Sequence, residues 1–180
     1  MSISAPDGAS PAPSAVCTGL IASTTYSKLG PKHRLAAWAQ LLAVAASDNE
    51  TEWTAVTTGR GAYSRPAWRS TLTAPENAVE ELVRLVELRD LGAARAVADR
   101  HGRVGGLCRT TPRRQQHGDA IEAARKEWSS DFGDSRDRHI TYVYGGASPG
   151  LDVLGDTVTI ENYARQMWAP LLAAETLAQP

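Results

Sequence analysis

Lys28, Lys32, His33 and Arg34 lie within seven residues around the expected start of a helix. There a phosphate can be met both by cations and by the helix's free backbone N–H groups. The alternative is a solvated face, since cations at a helix start oppose its dipole. A second basic group, Arg60, Arg65 and Arg69, is interleaved with Tyr63 and Trp68. Such a loop can stack on single-stranded bases while neutralising phosphates, although aromatics of this kind more often belong to a core or an interface. Other chemistry finds no support. His33, His101, His117 and His139 show no HxH or HxxxH spacing, no serine sits in a GxSxG elbow, and the glycine-rich steps Gly102 to Gly106 and Gly145 to Gly150 lack the GK[ST] ending of a phosphate loop. Cys17 and Cys108 stand far apart in no paired spacing, so neither a zinc site nor a disulfide scaffold is indicated, and both thiols are expected reduced in a cytosolic protein.

The elements that must position these residues form one domain. The chain has 180 residues, 42% apolar and 22% charged, with a formal net charge of −1. That balance gives no global attraction to a polyanion, so any nucleic-acid contact must be local. No apolar run approaches the ~20 residues that cross a bilayer. Met1 to Ala15, rich in Ser, Ala and Pro, lacks the features of a secretory signal and is expected to be a disordered tail, leaving 16–180 as the domain.

A strand is predicted over Val16 to Ser27, closed by Gly30-Pro31. A helix follows from Pro31 to Ala46, with Leu35, Trp38, Leu41, Leu42 and Ala45 on one stripe and Pro31 in its first turn. Asp48 to Glu52 reads as a turn, and Trp53 to Thr58 as a strand broken by Gly59, Arg60 and Gly61. A capping box, Thr73 to Glu76, predicts a helix from Thr73 to Leu91 that buries Val79, Leu82, Val83 and Val86 and stops at Gly92. Beyond it come a short helix over Asp119 to Ser130, a strand over Ile140 to Tyr144 and a helix from Thr159 to Leu177, with Tyr163, Met167, Leu171 and Leu172 inward and a kink at Pro170. Strands alternating with helices indicate an α/β domain. Ala93 to Gly118 has no steady period, six arginines and no lysine, and is expected to be poorly ordered.

Three blocks carry a family resemblance: Thr25 to Ala43, with Tyr26-Ser27-Lys28-Leu29-Gly30-Pro31-Lys32-His33-Arg34 at its start; Ala123 to Trp128; and Tyr163 to Leu172. In this order they resemble the carboxy-terminal domain of actinobacterial RecC, the gamma subunit of exodeoxyribonuclease V. The resemblance implies a mixed sheet with flanking helices, a degenerate restriction-endonuclease-like (PD-(D/E)xK nuclease-like) fold, expected here to be incomplete. It also implies RecB and RecD as partners, DNA as a contact of the assembled complex, no membrane, and no cofactor of the chain's own. Active relatives carry a carboxylate, one intervening residue and a lysine on a strand, then a Gln-Leu pair on a helix. Tyr26, Ser27 and Lys28 take the strand positions here and Gln40-Leu41 the helical ones, so the carboxylate has become a phenol. Mg²⁺-assisted phosphodiester hydrolysis needs that negative charge, so neither a catalytic nor a metal site is expected. The remaining candidates for DNA contact are Lys28, Lys32, His33, Arg34, Arg60 and Arg65.

Two further readings compete. A stand-alone nuclease could have moved its acidic ligand to Glu52, Asp152 or Asp156. A nonfunctional gene fragment would account for the short chain and for the irregular 93–118 segment. Codons can be chosen so that a one-base shift over Gly92 to His101 yields a sequence closer to RecC, which leads to the expectation of a local frame shift restored before Ala120.

Overall fold

A computed structural model describes residues 15–17, 19–61, 66–95, 122, 124–126, 128–131, 134–144 and 150–179. Its centre is a five-stranded mixed sheet in the order β1-β2-β3-β4-β5. The first expected strand is a hairpin of β1 (Ala15–Cys17) and β2 (Leu20–Lys28), paired antiparallel. Its turn uses Gly19 at φ +78°, a left-handed conformation that a side chain rarely adopts. Here a Cβ would also come within 3.1 Å of the Glu52 carbonyl oxygen.

Helix α1 (Pro31–Ser47) matches the prediction closely. Extended Gly30 caps it without a side-chain hydrogen bond, Pro31 opens it, and Arg34, Ala37, Trp38, Leu41, Leu42 and Ala45 are buried. The predicted turn closes it. The Asp48 carboxylate accepts the Glu50 N–H at 3.2 Å and the Thr51 hydroxyl at 2.8 Å. The Thr51 hydrogen bond is the main reason the Asp48 carboxyl titrates below its ordinary value. The chain then enters β3 (Thr54–Arg60), parallel to β2, so β2, α1 and β3 form one crossover unit.

Gly59 does not break β3; it lies within it. A Cβ there would sit 2.9 Å from Leu29 Cβ and from Thr25 Cγ2, so only glycine lets the β2–α1 connection approach this strand. An antiparallel strand that sequence reading missed, β4 (Trp68–Thr73), follows. Thr73 ends this strand opposite Thr54 and does not cap a helix. Helix α2 (Ala78–Arg95) starts later, with Asn77 receiving the Glu81 N–H, and runs through Gly92. It turns Ala78, Glu81, Leu82 and Leu85 inward and leaves Val79, Val83 and Val86 at least 40% exposed, so the predicted apolar face is only partly the buried one.

The Ile140 to Tyr144 segment is helical: α3 (Arg138–Tyr144). A strand would put residues 140, 142 and 144 on one face. Instead Ile140 and Tyr144 pack on the core, at helical i, i+4 spacing, while Tyr142 is exposed. Helix α4 (Thr157–Ala174) is capped by Asp156, whose carboxylate accepts the Thr159 N–H at 2.7 Å. Ile160, Ala164, Trp168 and Leu171 form its buried stripe, and Pro170 lies inside it. The helix ends before Leu177, because the chain becomes β5 (Glu175–Ala178), antiparallel to β4. The described residues 122, 124–126 and 128 are helical, in line with the short helix predicted there, and Ala124 and Trp128 join the core. Most of the irregular 93–118 segment lies outside the described residues, as do Cys108, Arg65 and most of the expected tail.

Helix α1 lies against β3 and β4, α4 reaches β4 and β5, and α2 packs on both helices. The core is therefore Trp38, Leu41 and Leu42 of α1, Trp168 and Leu171 of α4, and Ile21, Ala55 and Leu72 from one face of the sheet. Leu42→Ala is expected to cost about 2–5 kcal/mol in urea denaturation. Val83→Ala, on an exposed helix position, is expected to stay within about 0.5 kcal/mol of the parent.

Candidate functional site

Pairing across the sheet aligns two rows on its helix-covered face: Ile21, Ala55, Leu72 and Glu175, then Ser23, Thr57, Ser70 and Leu177. The first row is apolar until it reaches Glu175. The second carries hydroxyls, with Ser23 Oγ 2.9 Å from Thr57 Oγ1. Glu175 is the only acidic residue in the five strands. Its side chain is 2% exposed and meets Arg34 of α1, itself 4% exposed. Arg34 Nε and Ser70 Oγ each donate to Glu175 Oε1 at 2.6 Å, and an Arg34 terminal nitrogen donates to Oε2. The guanidinium carbon also lies 5.9 Å from the Trp168 ring centre. Fork-to-fork pairing neutralises both charges, and Ser70 takes up further acceptor capacity. Arg34, assigned by sequence to phosphate contact, is thus turned inward and occupied. Its membership of the buried stripe 34, 37, 38, 41, 42, 45 was the available signal.

The rest of the basic cluster divides. Lys28 and Lys32 are exposed. His33 is half-buried, and its Nε2 is buried with no hydrogen-bond partner among the described residues. Burial, and secondarily the Lys32 charge, hold this imidazole below its ordinary value of 6.5. Arg60 is exposed, and its guanidinium carbon stands 5.9 Å from the ring centre of Tyr26 on β2. Tyr63 lies outside the described residues, and Trp68 is half-buried opposite Gly59.

The nuclease-like positions are likewise dispersed. Tyr26 and Lys28 are exposed on β2, whereas Gln40 is exposed and Leu41 buried on α1. Glu52 is exposed before β3, Asp152 meets Arg125 at 3.2 Å, and Asp156 is committed to the α4 cap. Among the described residues, no three His, Cys, Asp or Glu side chains gather as a metal site, and no helix is long and apolar enough to cross a membrane.

Residues 14–98 match the RecC C-terminal domain family. RecBCD enzyme subunit RecC of Mycolicibacterium smegmatis is 32% identical over 171 residues, covering 86% of this chain and 15% of that protein. The Mycobacterium tuberculosis subunit of the same name is 30% identical over 171 residues, covering 87% of this chain and again 15% of that protein. The chain therefore spans only a small part of the length of these curated relatives. No solved structure matches it.

Glu175→Ala is expected to destabilise the chain by about 3–5 kcal/mol, because Arg34 is left buried without a counter-charge. Pairing Arg34→Met with Glu175→Leu should recover most of that loss in denaturant unfolding. His33 adds a pH dependence. A folded value below the unfolded one means that the unfolded chain takes up the proton first, so stability is full above pH 6.5 and declines as pH falls from there to the lowered folded value. His33→Gln should flatten that part of a melting-temperature profile.

Proposed function

We propose, on the premise that this chain belongs with the RecC C-terminal domains, that it serves as the non-catalytic carboxy-terminal domain of a RecC subunit. In this reading residues 16–180 are one degenerate nuclease-like domain of a RecBCD helicase-nuclease, acting in the cytoplasm in double-strand break repair and recombination. It works through contacts with RecB, RecD and DNA. The observation that carries the reading is the likeness to RecC subunits over more than four-fifths of the chain.

Two features of the molecule support it. The β2-α1-β3 crossover followed by antiparallel β4 is a topology compatible with a nuclease-like core. Within that core Tyr26 stands where a carboxylate is expected, and Glu175, the only acid in the described strands, is neutralised by Arg34. A phosphodiester-cleaving Mg²⁺ needs free carboxylates to hold it, and a carboxylate already bound to a guanidinium does not supply one. Lys28, Lys32 and Arg60 remain exposed cations for DNA contact.

Tagged chain co-expressed with actinobacterial RecB and RecD is expected to retain both through affinity purification, and failure to retain either would overturn the subunit role. Purified alone with Mg²⁺, it is expected to leave linear DNA intact; metal-dependent cleavage lost on chelation would refute the non-catalytic reading.

A further inference from the structure

The face of the sheet turned away from α1 carries its own constellation at the carboxyl end of the parallel pair. The Cβ geometry at Gly59 places Thr25 and Leu29 on the α1 side of the sheet. Alternation along β3 therefore sends Arg60 to the opposite face, and Tyr26, within the register irregularity of β2 between Thr25 and Lys28, has its ring centre 5.9 Å from the Arg60 guanidinium carbon. Lys28 is the register partner of Arg60. Arg69 pairs with Thr58, which makes it the diagonal neighbour of Arg60, roughly 7–8 Å away. Tyr26 is 92% exposed, and Lys28, Arg60 and Arg69 are all exposed. None of these cations forms an ion pair with a described residue.

The charge around them is one-sided. Strands β2, β3 and β4 contain no Asp or Glu, and Glu175 of β5 is buried on the other face. Acidic residues lie at the opposite end of the strands: Asp48, Glu50 and Glu52 before β3, and Glu76 after β4. A chain of net charge −1 thus carries, at one end of one sheet face, three cations, an exposed phenol ring with Arg60 over one of its faces, and the flanking hydroxyls of Thr24 and Thr58. The complement of such a surface is a ligand with regularly spaced anions and accessible flat π-faces. An acidic peptide would use the cations but not the ring. A duplex keeps its bases stacked on one another and offers the ring nothing.

We propose that this face binds single-stranded DNA, with a base stacked on Tyr26 and the phosphates running across Lys28, Arg60 and Arg69. This rests on the DNA contact proposed above and gives it a strandedness and an aromatic platform. Stacking of this kind tolerates any base, and the cations track the backbone without reading sequence.

The test uses the full chain, a fluorescein-labelled oligothymidylate and a labelled duplex of equal length, read by fluorescence anisotropy. The single strand is expected to bind more tightly than the duplex. Tyr26→Ala should weaken it about tenfold while Tyr26→Phe retains it. Arg60→Ala and Arg69→Ala should each lower the slope of log affinity against log salt by about 0.7. Unchanged binding by Tyr26→Ala, or a duplex bound as tightly as the single strand, would overturn the proposal. Because Tyr26 is exposed, circular dichroism is expected to show the variants folded. RecB–RecD retention by Tyr26→Ala separates the two readings: retained partners with unaltered DNA binding remove the stacking surface alone, and loss of the partners by the parent chain removes the subunit role.

Discussion

Everything at the carboxyl end of the chain depends on where the Glu175 carboxylate goes. The α4 sequence alone would continue as helix, and four residues of edge strand have little intrinsic stability. Glu175 ends the helix because, in an extended conformation, its side chain reaches Arg34 and Ser70 while its backbone joins β4 opposite Leu72. The same contact fixes α1. Without a counter-charge, a guanidinium in the buried stripe of an apolar helix would cost several kcal/mol. One ion pair therefore ties together the first helix, the penultimate strand in the sheet and the last strand, segments separated by 141 and 105 residues in sequence. Its value is as much specificity as stability, since an apolar pair of similar volume could fill the space but would not dictate this register.

That tie also decides which face of the sheet remains available. With α1 over β3 and β4 and α4 over β4 and β5, Thr57, Ser70 and Glu175 are enclosed, and Ser70 and Glu175 use their hydrogen-bonding capacity internally, as does the Ser23–Thr57 hydroxyl pair. On the opposite face Lys28, Arg60 and Arg69 form no ion pair with a described residue, because the strands carry no acid that could pair with them. Charge segregation at this scale does not alter the near-neutral total. It follows from alternation, which sends Thr25, Gly59 and Ser70 to one side and Arg60 and Arg69 to the other.

The legible parts of the sequence were those where local pattern and tertiary burial agree. Helix α1, with its proline start and continuous apolar stripe, emerged with nearly its observed bounds. The strand leading into it and the strand after it were also visible. Three errors share a cause. Thr73-x-x-Glu76 has the pattern of a cap, yet Thr73 is held by pairing to Thr54. Ile140 to Tyr144 has strand composition, yet its inward residues lie four apart. Residues 175–178 extend a helical pattern, yet edge pairing captures them. In each case a contact distant in sequence outweighs a weak local preference. Arg34 was misread for the same reason, because a basic residue flanked by others looks solvated until its helical phase is compared with Trp38 and Leu41. Tyr26 carried no signal as the companion of Arg60, since only the parallel register brings residues 34 positions apart side by side.

The strand position where the family resemblance leads one to expect a carboxylate holds Tyr26, while Glu175, the acid that the described strands do carry, is held in a buried ion pair. A metal site in a sheet requires acids whose charge is left uncompensated by the protein, and such uncompensated charge strains the fold that holds it. With Tyr26 at that position the sheet has no negative charge there to stabilise, and Glu175 closes the structure through Arg34 and Ser70. Trp38, Trp168, Leu41 and Leu171 are fully buried in the core, and the Arg34 guanidinium carbon lies 5.9 Å from the Trp168 ring centre. Among the described residues, the surface that this packing does not consume includes the strand face bearing Tyr26, Lys28, Arg60 and Arg69, the face proposed to bind single-stranded DNA.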